Sequence, residues 1–333
     1  MKTNEDLREA KDAVSALPGM MPVGGTGDGL VPTGKEPPAR SQWQLFFRRF
    51  MRHKLAVASL IVLVLLYLIA FLAPHLAPYP LNPKLTGKIL ADANNGPSGA
   101  HWFGTDELGR DQLTRIMYAS QVSLTVGLMV AIFSTIIGVA MGSVAGYFGR
   151  WVDQLLMRVT DLFLIVPGIA ILAMAQKGLA GKSFPIVGKL SSTQLIIWIL
   201  SFLFWQTIAR VTRGLFLSLK EKEYVEAAKA SGASSFRIIT RHILPNIVGP
   251  IAVNTTLVVG YAIITESTLS FLGFGIQPPN VSLGTMLNQS ESAVGTPQAY
   301  LIYFPGLVLL LTVLAVNFLG DGLRDAFDPQ SQH

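Results

Sequence analysis

Three groups of residues have types and spacings with chemical meaning. Asp161 and Glu266 are acids that adjoin or enter long apolar runs. A carboxylate in such a place is costly, and it handles an ion, a proton or a ligand, or else it is paired as part of the structure. The spacing sets Asp161 three residues from Arg158, within reach of an ion pair, and Glu266 beside Ser267, Thr268 and Ser270, which it can order as a polar turn. Thr105, Asp106, Arg110 and Asp111 make a compact polar group in which Thr105-Asp106-Glu107 can cap a short helix and Arg110 can pair with Asp111. The third group lies in EYVEAAKASGASSFRIITRHILPN, residues 223–246, a charged and alanine-rich stretch between apolar runs, broken by Gly232.

None of these spells a reaction centre. Cysteine is absent, and His53, His75, His101, His242 and His333 have no ligand-like spacing, so neither a metal site nor thiolate chemistry is expected. No G-x-x-x-x-G-K-[ST] phosphate loop and no H-E-x-x-H pair occurs, so no catalytic residue, no bound cofactor and no ATP binding by this chain are expected.

The elements that must position these groups are hydrophobic. Half of the 333 residues are apolar, 14% are charged and mean hydropathy is +0.47, against about 25% charged in soluble domains. Lipid must cover much of that surface. Six charge-poor runs read as membrane helices, at about 55–73, 116–148, 156–176, 193–212, 246–271 and 300–320, with Asp161 near the start of the third. The fold class is therefore all-α and polytopic. Gly138, Gly142 and Gly146, four apart, form a small-residue ladder that allows close helix approach. Pro167, Pro250 and Pro305 fall inside runs and predict kinks.

Residues 1–42 are rich in Pro and Gly and read as a disordered or weakly ordered tail; 43–54, WQLFFRRFMRHK, as a basic aromatic interfacial segment; 55–320 as the membrane domain; 321–333 as a second tail. The net charge of +6 could suit nucleic acid in a soluble protein. Here the basic cluster runs straight into an apolar helix, so membrane lipid is the expected partner and nucleic acid is not. The first apolar run is too long, and too far from the start, for a cleaved signal.

An even number of spans puts both termini on one side, and the cluster from Arg40 to Lys54 makes that side cytoplasmic. Residues 210–242 carry seven Lys or Arg and 273–299 none, which agrees; the loops at 74–115 and 177–189, with four and three, fit only loosely.

With that topology the 223–246 stretch projects into the cytoplasm. Alanines 227, 228 and 230, with Glu226 four residues after Lys222, favour a helix charged on one side. Gly232 ends it, Ser234 or Ser235 can cap a second short helix, and Pro245 fits the first turn of the next span. The product is a helix–turn–helix elbow, either a docking element or a helix lying on the membrane.

The spacing Glu226-Ala227-Ala228, three residues, Gly232, then Ile239 and Arg241-His242-Ile243-Leu244-Pro245-Asn246 resembles the EAA signature of permease subunits of bacterial ABC importers. GTDELGRDQLTRIMYASQVSL (104–124) and ESTLSFLGFGIQPPNVSLGTML (266–287) resemble stretches of the C-type permeases of the oligopeptide/dipeptide/nickel family, and the likeness covers roughly 45–325. It implies a six-helix permease of the type I importer fold in the bacterial inner membrane. A homologous second permease, two ATP-binding cassette subunits that bind ATP and Mg, and an extracytoplasmic solute-binding protein complete the complex.

In that likeness Glu226, Ala227, Ala228, Gly232, Arg241, His242 and Pro245, within 221–242 and its exit, are the ATPase-coupling element. Thr105, Asp106, Arg110, Asp111 and Glu266 are gate or structural residues. Short peptides are the expected cargo, with nickel chelates or another small solute as the alternative. A stand-alone secondary transporter needs coupling-ion residues inside its own spans, where only two acids lie, and a membrane scaffold needs only the elbow.

Overall fold

The computed structural model describes residues 42–83, 86–165, 168–179, 183–184, 188–189 and 191–327. The expected tail 1–42 lies outside them except for Gln42, as do Pro167 and residues 328–333.

The chain runs through α1 (Gln42–Arg52), α2 (Lys54–Phe71), α3 (Ala73–Leu76), α4 (Gly87–Ala91), α5 (Gln112–Phe148), α6 (Arg150–Ile165) and α7 (Gly168–Leu179). A two-residue antiparallel ribbon, Ser183–Phe184 with Gly188–Lys189, leads to α8 (Ser192–Leu219), α9 (Glu223–Ala230) and α10 (Ser235–Arg237). A π-helical turn, Ile238–Ile243, then opens α11 (Leu244–Phe271), followed by α12 (Leu283–Gln289) and α13 (Tyr300–Phe327).

Among the described residues five helical segments are long and apolar enough to cross a membrane: Lys54–Phe71, Gln112–Phe148, Ser192–Leu219, Ser235–Phe271 and Tyr300–Phe327. The expected third span is not among them; of its residues, 156–165 lie in α6 and 168–176 in α7, and 166–167 are outside the described residues.

α5, α8, α11 and α13 extend beyond their expected limits at one end or both, since caps and not charges end the helices, whereas α2 stops at Phe71, two residues short of its expected end. Asp111 caps α5 by accepting from the Thr114 amide at 2.8 Å, which brings Arg115 inside the helix. Gly149, at φ +62°, ends α5. At 37 residues α5 is about 55 Å long, well over the ~30 Å of a hydrocarbon layer. Ser191 and Gln194 form a capping box at the start of α8. α13 runs seven residues past Gly320, so residues 321–327 of the expected tail are helical. Pro250 and Pro305 lie inside continuous helices.

The glycine ladder does what its spacing predicts. A Cβ at Gly138 would sit 2.6 Å from the Trp205 carbonyl oxygen; one at Gly142 would overlap the Ala209 carbonyl; one at Gly146 would come 2.9 Å from that of Arg213. All three carbonyls belong to α8, so α5 and α8 pack backbone to backbone. On another face of α5, Gly127 receives Ile263 of α11. Val126, Val130, Ile196, Leu200, Ile208 and Val258 fill the space among these three helices. The exposed side of α2, by contrast, carries Leu60, Ile61, Val64, Leu65 and Leu68. Small residues inside and branched aliphatics outside is the arrangement that suits lipid, where packing and not water exclusion drives helix association.

Candidate functional site

α9 follows Lys222 at its N-cap and carries Glu223 and Glu226 in its first turn, where acids complement the helix dipole. It closes with a Schellman motif: the Gly232 amide donates to the Lys229 carbonyl at 2.9 Å and the Ala233 amide to that of Ala228 at 3.0 Å. Gly232 takes φ +78°, the left-handed conformation the motif requires. Ser234 then caps α10, its hydroxyl accepting from the Arg237 amide at 3.4 Å.

The elbow is anchored from below. Val225, fully buried, packs with Phe216, Ile238, Ile243, Ile247 and Ile251, with Ala228 and Ala233 against the edge of the same cluster. Glu226, Ala227, Gly232, Arg241 and Pro245 are exposed and His242 is half-buried. Ala228 therefore serves packing and not the exposed tip. Among the described residues no ion pair joins Glu226 to Lys222. The expected second short helix is not separate either, because α10, the π turn and α11 run on as one rod from Ser235 to Phe271. The open side of the elbow also presents Phe236, 77% exposed, and Tyr224. Neither was expected among the coupling residues, Phe236 being read only as part of the second short helix; a large aromatic four residues after a helix-ending glycine was the available signal.

The gate or structural residues form two centres. No helix lies between Ala91 and Gln112: Gly104 and Gly109, at φ +77° and +72°, turn the chain twice, and a bridge between Thr105 and Asp111 closes the loop. The expected pairing of Arg110 with Asp111 is replaced. Asp106 binds Arg110 instead (Nε to Oδ2 2.7 Å), accepts from the Leu108 and Arg110 amides at 3.0 and 2.9 Å, and takes a guanidinium N–H of buried Arg115. Arg115 also donates to Gln289 Oε1 of α12 at 2.5 Å. Asp111 caps α5 and meets His101 Nδ1 at 2.9 Å. The Tyr300 hydroxyl lies 2.8 Å from the Thr105 carbonyl oxygen.

Glu266 is fully buried at the matching end of α11. Ser270 donates to it at 2.7 Å, Ser123 of α5 at 2.9 Å and Ser267 at 3.4 Å. Ser123 and Ser270 in turn accept from the amides of Leu283 and Ile276. The carboxyl thus ties the 275–284 loop to two long helices. Thr268, expected among its partners, bonds back to the Ile264 carbonyl instead. Glu266 is thus fully buried and accepts from three hydroxyls of α5 and α11.

Asp161 pairs with Arg210 of α8 at 2.5 Å, not with Arg158. One helical stretch earlier Asp153 takes both Nε and Nη2 of Arg213, the latter at 2.6 Å. These two pairs hold α6 to α8. The Arg213 hydrogen bonds keep the Asp153 carboxyl below its ordinary range. A depressed carboxyl adds stability above its unfolded value and loses it as pH falls through the folded one. Thermal unfolding of the purified protein is therefore expected to show the wild-type midpoint converging on that of D153N below about pH 4. Curves for the two proteins that stay parallel across that range would remove the ion pair as a source of stability.

The geometry is matched by similarity to known proteins. Residues 138–333 match the model for "Binding-protein-dependent transport system inner membrane component", and residues 41–97 that for the N-terminal TM domain of oligopeptide transport permease C. The chain is 39% identical over 293 residues to the oligopeptide transport system permease protein OppC of Mycobacterium tuberculosis, covering 88% of this chain and 96% of the relative. It is 41% identical over 295 residues to the dipeptide transport system permease protein DppC of Bacillus subtilis, covering 88% and 87%. It is 39% identical over 300 residues to the glutathione transport system permease protein GsiD of Pectobacterium atrosepticum, covering 90% and 95%. Among solved structures, an inward-facing MetNI methionine ABC transporter chain superposes with a TM-score of 0.52 at 19% identity, covering 64% of this chain and 97% of that one. The last comparison supports the fold alone.

Proposed function

The chain belongs to the binding-protein-dependent transport system inner membrane component family, and from that premise we propose that it is half of the pathway of an ATP-driven importer of short peptides. The reading assigns it a homologous second permease, two ATPase subunits that hold ATP and Mg, and an extracytoplasmic solute-binding protein. Peptide cargo is supported by relatives named for oligopeptide, dipeptide and glutathione transport.

On this reading α6 and α7 make the third of six spans, residues 156–176, so that both termini and the 223–243 elbow are cytoplasmic. The basic cluster before α2 and the seven basic residues of 210–242 support that orientation. The permease domain is 55–320 continued to Phe327, preceded by the 43–54 interfacial segment.

The observation that carries the proposal is the elbow. It is anchored by fully buried Val225, closed by a left-handed glycine and continuous with a membrane-length helix, so a force on its open side reaches the membrane without passing through a loose joint. Glu226, Ala227, Gly232 and Arg241 meet the ATPase; Ala228, His242 and Pro245 fix the elbow and its exit. Thr105, Asp106, Arg110, Asp111 and Glu266 hold the opposite end together.

Reconstitution tests this. Uptake of labelled tri-alanine into vesicles is expected only when both permeases, the ATPases, the binding protein and ATP are present together. Uptake by this chain alone, driven by an ion gradient, would establish a secondary transporter and overturn the reading.

A further inference from the structure

The exposed faces of the membrane-length helices differ in kind. On α13 as far as Phe318 the open residues are Tyr303, in its first turn, and Leu307, Leu310, Leu311, Leu314 and Phe318, and on α2 beyond Lys54 they are wholly aliphatic and aromatic. α11 is different. At 100° per residue, Pro250, Asn254, Tyr261, Thr265 and Thr268 fall on one stripe, exposed or half-buried along its length.

The two threonines bond back to the Tyr261 and Ile264 carbonyls and could face lipid. The other groups could not do so without cost. Asn254 uses one amide hydrogen on the Pro250 carbonyl at 2.8 Å and leaves its own carbonyl open. The Tyr261 hydroxyl, on a side chain 60% exposed, has no partner among the described residues. Pro250 has no N–H, so the Asn246 carbonyl lacks its helical donor. Polar groups left open at membrane depth face water or protein, not hydrocarbon.

A second observation lies at the elbow end of the stripe. A groove of about 470 Å³ opens between α11 and α13, lined by Pro250, Asn254, Leu257, Asp321, Arg324 and Phe327. Asp321 and Arg324 are exposed and, among the described residues, neither makes an ion pair. One wall thus offers a free anion and a free cation a turn apart.

We propose that the Asn254–Tyr261–Thr268 stripe of α11 lines the water-filled path, and that a peptide passes along it by its backbone, its charged termini received at Asp321 and Arg324. The inference rests on the importer reading above and assigns residues to it. Side-chain amides and hydroxyls serve as donors and acceptors for peptide groups whatever the peptide's own side chains, and the two opposite charges match a zwitterion.

The chain has no cysteine, so single cysteines can be placed without removing any. N254C, Y261C and T268C, with L307C, L310C and L314C as controls, are assembled in the complete complex and exposed to a charged, membrane-impermeant methanethiosulfonate reagent. Thiolate forms in water and not in hydrocarbon, so the stripe is expected to react about tenfold or more faster than the controls. Saturating tri-alanine, with binding protein and ATP, is expected to slow that reaction several-fold.

Stripe cysteines no more reactive than the controls would overturn the assignment, and so would fast reaction that tri-alanine leaves unchanged. Tri-alanine uptake by each variant is measured in parallel. Uptake without stripe labelling rejects the stripe and keeps the importer; labelling without uptake by the unsubstituted complex rejects peptide cargo. In a separate arm, D321N and R324Q are each expected to reduce uptake of tri-alanine at matched amounts of complex, and wild-type uptake by both would remove the charged pair from the proposal.

Discussion

Replacing Gly232 by valine is expected to lower tri-alanine uptake by the assembled complex about tenfold, since a side chain held in the left-handed region costs about 1–2 kcal/mol and each 1.36 kcal/mol is a factor of ten. The strain is conformational only. A Cβ at Gly232 would meet nothing within 4 Å, and the residue lies outside the buried cluster, so insertion and abundance should stay near wild type. Valine relieves the strain by leaving φ +78°, which opens the Schellman bonds from Gly232 and Ala233 and lets α9 swing away from the long rod that begins at Ser235.

Asparagine tolerates the left-handed conformation, so G232N should keep most of the uptake that G232V loses. E226A removes an exposed charge and leaves the fold of the elbow intact, so its effect should be smaller than that of G232V and confined to ATPase coupling. The measurements are immunoblot abundance, capture of the ATPases, substrate-stimulated ATP hydrolysis and uptake. G232V at normal abundance, with normal capture and normal uptake, would reduce the elbow to a surface helix without a mechanical role.

The elbow was legible in the sequence because its determinants are local. Alanine propensity, an N-terminal pair of acids, one glycine and one serine cap act within a few residues of each other, and together they place α9, its end and the restart at Ser234. The π turn at 238–243 was not legible, since nothing in IITRHI sets it apart from an α-helix; it forms where α10 and α11 are joined without a break. The glycine ladder of α5 was visible as a pattern, but its partner, the carbonyl row of α8, could only come from the fold.

Ion pairs were the least legible feature. Proximity in sequence suggested Arg158 for Asp161 and Arg110 for Asp111, whereas the chosen partners are Arg210, 49 residues away, and His101, on the far side of a closed loop. Helix ends misled in one direction at α5, α8 and α13, which run past their expected limits, whereas α2 stops short of its own. Charges such as Arg115, Asp321 and Arg324 were read as terminators, yet helices end at caps, and a charge with a partner or with access to water can lie well inside one.

Asp106→Ala is expected to destabilise the protein by about 3–5 kcal/mol, the cost of removing one partner from a buried ion pair. Arg115 is 5% exposed and Asp106 6%. Removing the carboxylate leaves the guanidinium with Gln289 as its remaining neutral partner, and leaves the Leu108 and Arg110 amides without the oxygen that turns the loop. The damage spreads because the loop is held at several points: Thr105 bridges Asp111, which caps the 37-residue α5, and Tyr300 at the head of α13 reads the Thr105 carbonyl.

D106N keeps an acceptor for the two amides and loses the charge that Arg115 needs, so its stability should fall between wild type and D106A. The double variant D106A/R115M removes the stranded cation as well, and should recover a large part of the loss, as replacement of a whole buried pair by apolar groups commonly does. Thermal unfolding of the detergent-purified chain ranks the four proteins. An alanine variant that unfolds with wild-type stability would show that the loop is held by its backbone bridge and by Tyr300, with the Asp106–Arg115 pair contributing nothing to it.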